Sequence, residues 1–214
     1  MKTRPRLFKL LFSRYLQRTA LPIWTKQAKT LPFTPEDIPH VLESTWKIYH
    51  SRVQEMPEQA NVGNWLVMHF GYLTLAAHQA WIDFGLDEET SIGLIQDLTW
   101  HTTSTWTNRA RRGSKFIFRD QMNQLNFFVD LIMKRLFSPP GYQYRLGNLE
   151  DGFYLDVYRC PVAELMKSNE AAELCIQSWC GVDSGLAQIF GQEMKRTGTI
   201  AMGEEKCDFK FLQP

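Results

Sequence analysis

Ser138-Pro139-Pro140-Gly141 interrupts this chain more sharply than any other stretch, and the hydrophobic period changes across it. Proline has no N–H to donate and a fixed φ, so two in a row stop a helix or a strand. Before the break, apolar residues recur at helical spacing; after it they alternate. Gly152 to Arg159 sets Phe153, Leu155 and Val157 on one face and Tyr154, Asp156 and Tyr158 on the other, the mark of a half-covered strand. A chain that changes period in this way predicts an α+β fold. It has an N-terminal all-helical layer followed by a small antiparallel sheet of two hairpins with helices between them. At 214 residues and 44% apolar, the chain has enough material for a sizeable core. The expected parts are a basic amphipathic helix within 1–30, a helical region over 31–138 and an α+β region over 142–214, the last two forming one compact domain.

Net charge is only +1, but its distribution is uneven. Residues 1–30 carry Lys2, Arg4, Arg6, Lys9, Arg14, Arg18, Lys26 and Lys29 and no acid. A helix from about Arg6 to Leu21 is predicted, with Leu7, Leu10, Leu11, Tyr15 and Leu16 as its apolar stripe and the basic residues largely off it. The longest apolar run near the start is Leu10 to Phe12, which excludes a membrane-spanning helix there and argues against a secretory signal. The expected location is cytoplasmic. The basic helix fits an anionic membrane surface, a transit peptide, or a solvated face packed on its own domain.

Further helices are expected from Pro35, after a Thr34 cap, to Met56, from Trp65 to Phe84 with Gly85 as the stop, and from Asp87 to Arg112 with Gly113 as the break. Another should carry Lys115 and Arg119 and end near Phe137. Arg109, Arg111, Arg112, Lys115 and Arg119 lack the interleaved motifs of nucleic-acid readers, so nucleic acid is not an expected partner. His69 and His78, nine residues apart on one helix, point to opposite faces and read as core or boundary residues rather than joint metal ligands.

All four cysteines fall in the last 55 residues, which chance would produce well under about 1% of the time. Cys160, Cys175, Cys180 and Cys207 do not have the paired C-x2-C spacing of zinc ribbons, and no His lies among them. A zinc or iron site would need the fold to gather distant ligands, with Cys160, Cys180 and Cys207 as candidates. The other reading is that free cysteines fill core positions as small hydrophobes.

Around these cysteines stand Cys160-Pro161, then Cys180-Gly181-Val182-Asp183, then Arg196-Thr197-Gly198-Thr199-Ile200-Ala201-Met202-Gly203, then Cys207-Asp208-Phe209. This order of C-P, C-x2-D, R-T-x-T-I-A-x-G and C-D-F resembles the L-2-amino-thiazoline-4-carboxylic acid hydrolase family of small bacterial proteins. The resemblance is clearest over Cys160 to Phe211 and extends more faintly to Ala76 to Leu86. It implies opening of an aminothiazoline ring by water on the way to cysteine, a hydrolase reaction at a non-peptide C–N bond. It implies motif positions in this chain without assigning their roles.

The residues themselves suggest chemistry. If 203–206 is the loop of the last hairpin, Met202 faces Cys207 and Ile200 faces Phe209. Arg196 then shares the apolar face with Cys207, Phe209 and Phe211, while Thr197, Thr199, Asp208 and Lys210 face solvent. An Arg in such a place needs a carboxylate. It is either that of a small acidic substrate or one in the protein, such as Asp183 or Asp156. On a continuous helix from about Glu170 to Phe190, Asp183 is a half-buried acid beside Cys180, and Cys175 lies nearly opposite Cys180. If the helix breaks at Gly181, Asp183 is an N-cap. As an enzyme, the chain would use Arg196 to bind substrate and Cys180, Asp183 and Cys207 as the catalytic set, with a thiolate attacking directly or holding a metal. The alternative is a non-catalytic small-molecule-binding or assembly module of the four-vinyl-reductase-like type, and a third is a scaffold.

Overall fold

The computed structural model describes residues 4–213, so Lys2 lies outside the described residues. Helix α1 (Pro5–Gln27) starts with Pro at its first position, where a missing N–H costs nothing, and runs on through Pro22 past the expected end. Its core face is the i, i+4 row Phe8, Phe12, Leu16, Ala20 and Trp24. The predicted stripe holds only at its C-terminal end: Leu16 packs on the core, but Leu7, Leu10 and Leu11 are 39%, 75% and 57% exposed. The larger rings win the inner face. Phe8 stacks on His69 at 4.8 Å and meets Trp46, Tyr49, Trp65 and Phe70.

Helices α2 (Ile38–Arg52) and α3 (Val62–Phe84) form the centre of the helical layer. The Asp37 carboxylate accepts from both the N–H and the hydroxyl of Thr34, which closes the turn just before α2 rather than inside it. In α3, Asn61 Oδ1 caps the start by accepting from Asn64 N at 2.9 Å, and Gly85 at φ 112° ends the helix where a side chain would be strained. His69 is fully buried and shares a 2.5 Å hydrogen bond with Tyr49, while His78 pairs with Ser91, so the two histidines do serve separate core contacts. Burial holds His69 down at about 4.

Helix α4 (Glu88–Ser114) is capped by Asp87, which accepts from Thr90 N at 2.8 Å. It passes through Gly113 instead of stopping there, and Lys115 and Arg119 sit in the turn to α5 (Gln121–Arg135), not on that helix. Asp120 caps α5.

After the proline break comes an antiparallel four-stranded sheet of order β1-β2-β4-β3. Strands β1 (Gln143–Leu149) and β2 (Gly152–Arg159) form the expected hairpin, with Phe153, Leu155 and Val157 buried. Short helices α6 (Pro161–Ser168), α7 (Ala172–Cys175) and α8 (Asp183–Ile189) lead to β3 (Glu193–Lys195) and β4 (Cys207–Leu212).

The last two strands correct the predicted register. Met194 faces Phe211, so the pairing is displaced by four residues from the expected one, and the ladder ends at Lys195. Asp208 explains the ending. Its carboxylate accepts from Thr197 N at 2.9 Å, Thr197 Oγ1 and Gly198 N at 3.0 Å, drawing the chain out of the sheet. Thr199 is fully buried instead of solvent-facing, because it caps a 3-10 turn over Ile200–Met202. A displacement of four is even, so alternation survives and Arg196 stays on the face of Phe209. Its guanidinium lies 5.4 Å from that ring centre.

Two apolar cores result. One belongs to α1–α4 with α6 and α7; the other lies between the sheet, α5 and α8. Phe137, Cys160 and Ile200 pack against both. No helix among the described residues is long and apolar enough to cross a membrane.

Candidate functional site

The seam between the two cores holds a cavity of about 180 Å³. Its walls are mostly apolar, from α5, the sheet and α8. Four groups break that pattern: the thiols of Cys160, Cys175, Cys180 and Cys207, the Tyr142 ring, Trp179 and the Asp183 carboxyl. The cysteines that stand 15, 5 and 27 residues apart in sequence therefore meet at one place.

Cys175 joins them through a local irregularity. The expected continuous helix from Glu170 to Phe190 is interrupted: Ile176–Cys180 winds as a π turn between α7 and α8. An α-helix would place residues five apart nearly opposite one another, whereas i→i+5 winding stacks them. The continuous helix that would have set Cys175 opposite Cys180 is not formed, and both thiols line the cavity. The buried Ser178 hydroxyl donates to Leu174 O at 2.5 Å within this segment. Gly181 closes the turn where a Cβ would come 2.3 Å from the Gln177 carbonyl oxygen.

After that turn, Asp183 is the first residue of α8 and does not act as its cap; Val182 holds the cap position. The carboxylate instead meets Arg196 Nη1 at 3.0 Å. The same Nη1 donates to Cys180 O at 3.2 Å, tying the end of the π turn to the segment just after β3. Of the two protein carboxylates considered for Arg196, the partner is Asp183; Asp156 pairs with Lys206 at 2.9 Å. Arg196 itself stands behind the cavity wall, touching Asp183, Cys180 and Phe209, all of which line it.

The C-D-F motif now has a physical reading. Cys207 Sγ accepts from Ile200 N at 3.3 Å, Asp208 takes the N–H groups of Thr197 and Gly198, and Phe209 supports the Arg196 guanidinium. Three consecutive residues thereby shape the R-T-G-T-I segment opposite.

Burial sets the electrostatics. It pushes Asp183 up to about 7, against the opposing pull of Arg196. The side chain remains 30% exposed, which lets water reach the carboxyl and moderates the push. Cys160 is pushed up to about 12 and Cys207 to about 11, both chiefly by burial. Cys180 is raised well above the usual thiol range, first by its hydrogen bond with Cys175 and then by burial. These thiols are protonated near neutral pH, so none is a ready thiolate. Accordingly, Cys160, Cys180 and Cys207 in the native protein are expected to react with an aromatic disulfide reagent at pH 7 far more slowly than the same cysteines after unfolding. A single fast thiol in the native state would contradict this electrostatic picture.

Tyr142 was not legible as a site residue from sequence. It is 2% exposed, and its hydroxyl has no partner of ordinary hydrogen-bond geometry; the Cys160 thiol is its polar neighbour. Buried hydroxyls rarely stay unpaired, so this one is available to a molecule in the cavity. Among the described residues, no group of three or more His, Cys, Asp or Glu side chains is placed to hold a metal ion, and the candidate ligands Cys160, Cys180 and Cys207 do not make such a set.

No curated protein and no solved structure matches the chain. Every residue lining the cavity lies between 125 and 211. That stretch falls inside the segment with a family match: residues 120–211 match the model of the L-2-amino-thiazoline-4-carboxylic acid hydrolase family.

Proposed function

We propose that this chain is a hydrolase-like protein whose cavity binds a small molecule bearing a C=N bond and a carboxylate, with Asp183 as its acid–base group. The observation that carries the reading is the position of Asp183: a carboxyl pushed up to about 7, in the wall of a largely apolar cavity that water can reach. A group poised near working pH can both give and take a proton.

In the proposed reaction, protonated Asp183 gives its proton to the ring nitrogen as a water oxygen bonds to the C=N carbon. The carboxylate left behind takes a proton from that water, so one water is added across C=N and Asp183 is restored. The hydrated carbon then collapses: its O–H proton passes through Asp183 to the ring nitrogen, the C–O bond becomes a carbonyl, and the ring C–N bond breaks to leave a thiocarbamate and a free amine. Arg196, behind the cavity wall, uses Nη1 to hold the Asp183 carboxylate and the Cys180 carbonyl, and so orients the acid from outside the cavity. Cys180 and Cys207, held protonated, shape and donate to the site in this scheme rather than attacking as thiolates. The Tyr142 hydroxyl supplies a further polar contact.

The test is incubation of the purified protein with L-2-amino-thiazoline-4-carboxylate, following loss of the ring. The expected result is turnover that weakens about tenfold in Tyr142→Phe, since the variant removes one hydrogen bond to a bound molecule. Absence of turnover across pH 5 to 9 would overturn the proposal. A second reading, binding without turnover, is favoured by one observation: apart from Asp183 and Tyr142, the cavity offers mainly apolar walls and neutral thiols. Tight binding of a small apolar ligand together with no ring opening would select it.

A further inference from the structure

The sequence offers two basic stretches, and the structure brings them to one end of the molecule. Helices α1 and α4 run antiparallel: Trp24 Nε1 donates to Leu94 O at 3.2 Å, while nearer the start of α1 the Tyr15 hydroxyl accepts from Trp106 Nε1 at 3.2 Å. The beginning of α1 therefore lies beside the end of α4 and the turn that follows it. On α1 this end carries Arg4, Arg6, Lys9, Arg14 and Arg18; on α4 and its turn it carries Arg109, Arg111, Arg112, Lys115 and Arg119. Neither 4–18 nor 109–119 contains an acid. Among nearby acids, Glu43 of α2 approaches Lys9 but pairs with Lys47, and Asp120, next to Arg119, caps α5.

Among these cations stand apolar side chains that the fold leaves in solvent. Leu10 and Leu11 are 75% and 57% exposed on α1, and Phe116 and Ile117 are 93% and 66% exposed at the tip of the α4–α5 turn. Trp106, 55% exposed, donates to the Tyr15 hydroxyl of α1 and has the Arg109 guanidinium 5.2 Å from its ring.

We infer that this end of the molecule docks on an anionic lipid surface, with Leu10, Leu11, Phe116 and Ile117 entering the interface and the surrounding Lys and Arg side chains contacting headgroups. Protruding aliphatic and aromatic side chains ringed by cations, with an interfacial Trp, match the layered chemistry of a bilayer boundary. A nucleic acid would neutralise the charge but leave the leucines in water. A second copy would set ten like charges against ten.

The test is co-sedimentation of the full chain with phosphatidylcholine vesicles containing about 30% phosphatidylserine, compared with phosphatidylcholine alone. Binding only to the anionic vesicles is expected, weakened by added salt. The pairs Leu10→Ser/Leu11→Ser and Phe116→Ser/Ile117→Ser should each lower binding about tenfold or more, because each removes interfacial apolar area. All four positions are exposed, so the variants are expected to keep the parent's circular dichroism; if one pair fails to fold, the other decides. No vesicle binding at low salt would overturn the inference. So would vesicle binding that neither pair changes, or binding confined to RNA, DNA or another protein chain.

Discussion

Replacing Asp183 with Asn is expected to reduce ring opening by about 10²- to 10⁴-fold, the range a positioned general acid–base group contributes. The amide keeps the shape and can still accept from Arg196, so folding should survive while proton transfer does not. The pH dependence of stability supplies a second readout. Asp183 is pushed up to about 7 in the folded chain from the ordinary value of 3.8. Between those values the native state holds a proton that the unfolded state has released. Its contribution is therefore fully present below about pH 4 and is lost as pH rises through 7. The Asn variant has no such loss. Relative to wild type, its melting temperature should rise as pH goes from 5 to 8. His69, with its folded value lowered to about 4, pulls the opposite way in both proteins and cancels in the comparison. Parallel melting curves for the two proteins across that range would contradict the assignment.

The second large effect lies far from the cavity. Phe8→Ala should cost about 3–5 kcal/mol, the range for truncating a fully buried Phe that leaves a hole behind. Phe8 is completely buried and meets six aromatic or imidazole rings drawn from α1, α2 and α3. Leu10→Ala, two residues on, should change stability by less than about 0.5 kcal/mol because the side chain is already in solvent. Urea unfolding of the two variants checks both values. Equal losses would mean that the inner face of α1 is not the one described.

That contrast also shows what was legible in the sequence. The change of period at Pro139-Pro140 correctly located the passage from helices to sheet, because a strand covered on one face must alternate and a proline pair must interrupt. Helix α1 was less legible. Leucines occur on two of its faces, and only the neighbouring helices decide which one is covered; the larger rings then take the inner side. The register of β3 on β4 was misread because Asp208 looks like an ordinary outward carboxylate, whereas its bonds to Thr197 and Gly198 end the ladder early. The face of Arg196 was nevertheless right, since a shift of four preserves alternation.

The candidate site was half visible. The cysteines are clustered along the sequence, which does not say that they meet in space; for Arg196 the sequence left a substrate carboxylate, Asp183 and Asp156 open, and the fold pairs it with Asp183. The company of Cys175 did not follow, since a regular 3.6-residue helix is the default and the π turn is an exception. The five-residue spacing of Cys175 and Cys180 was the available signal. Tyr142 gave none, because a tyrosine after a turn is ordinary until its hydroxyl proves buried and unpaired.

The account rests on a carboxyl poised near neutrality in the cavity wall, and that can be observed without any substrate. Carbon NMR of the protein labelled at aspartate side-chain carboxyls, with Asp183→Asn to assign the signal, follows this one group through a pH titration. The prediction is a midpoint near 7, well above the other aspartates. A midpoint at or below 4 would mean that Arg196 holds Asp183 permanently ionised, and the proposed acid–base role would fail.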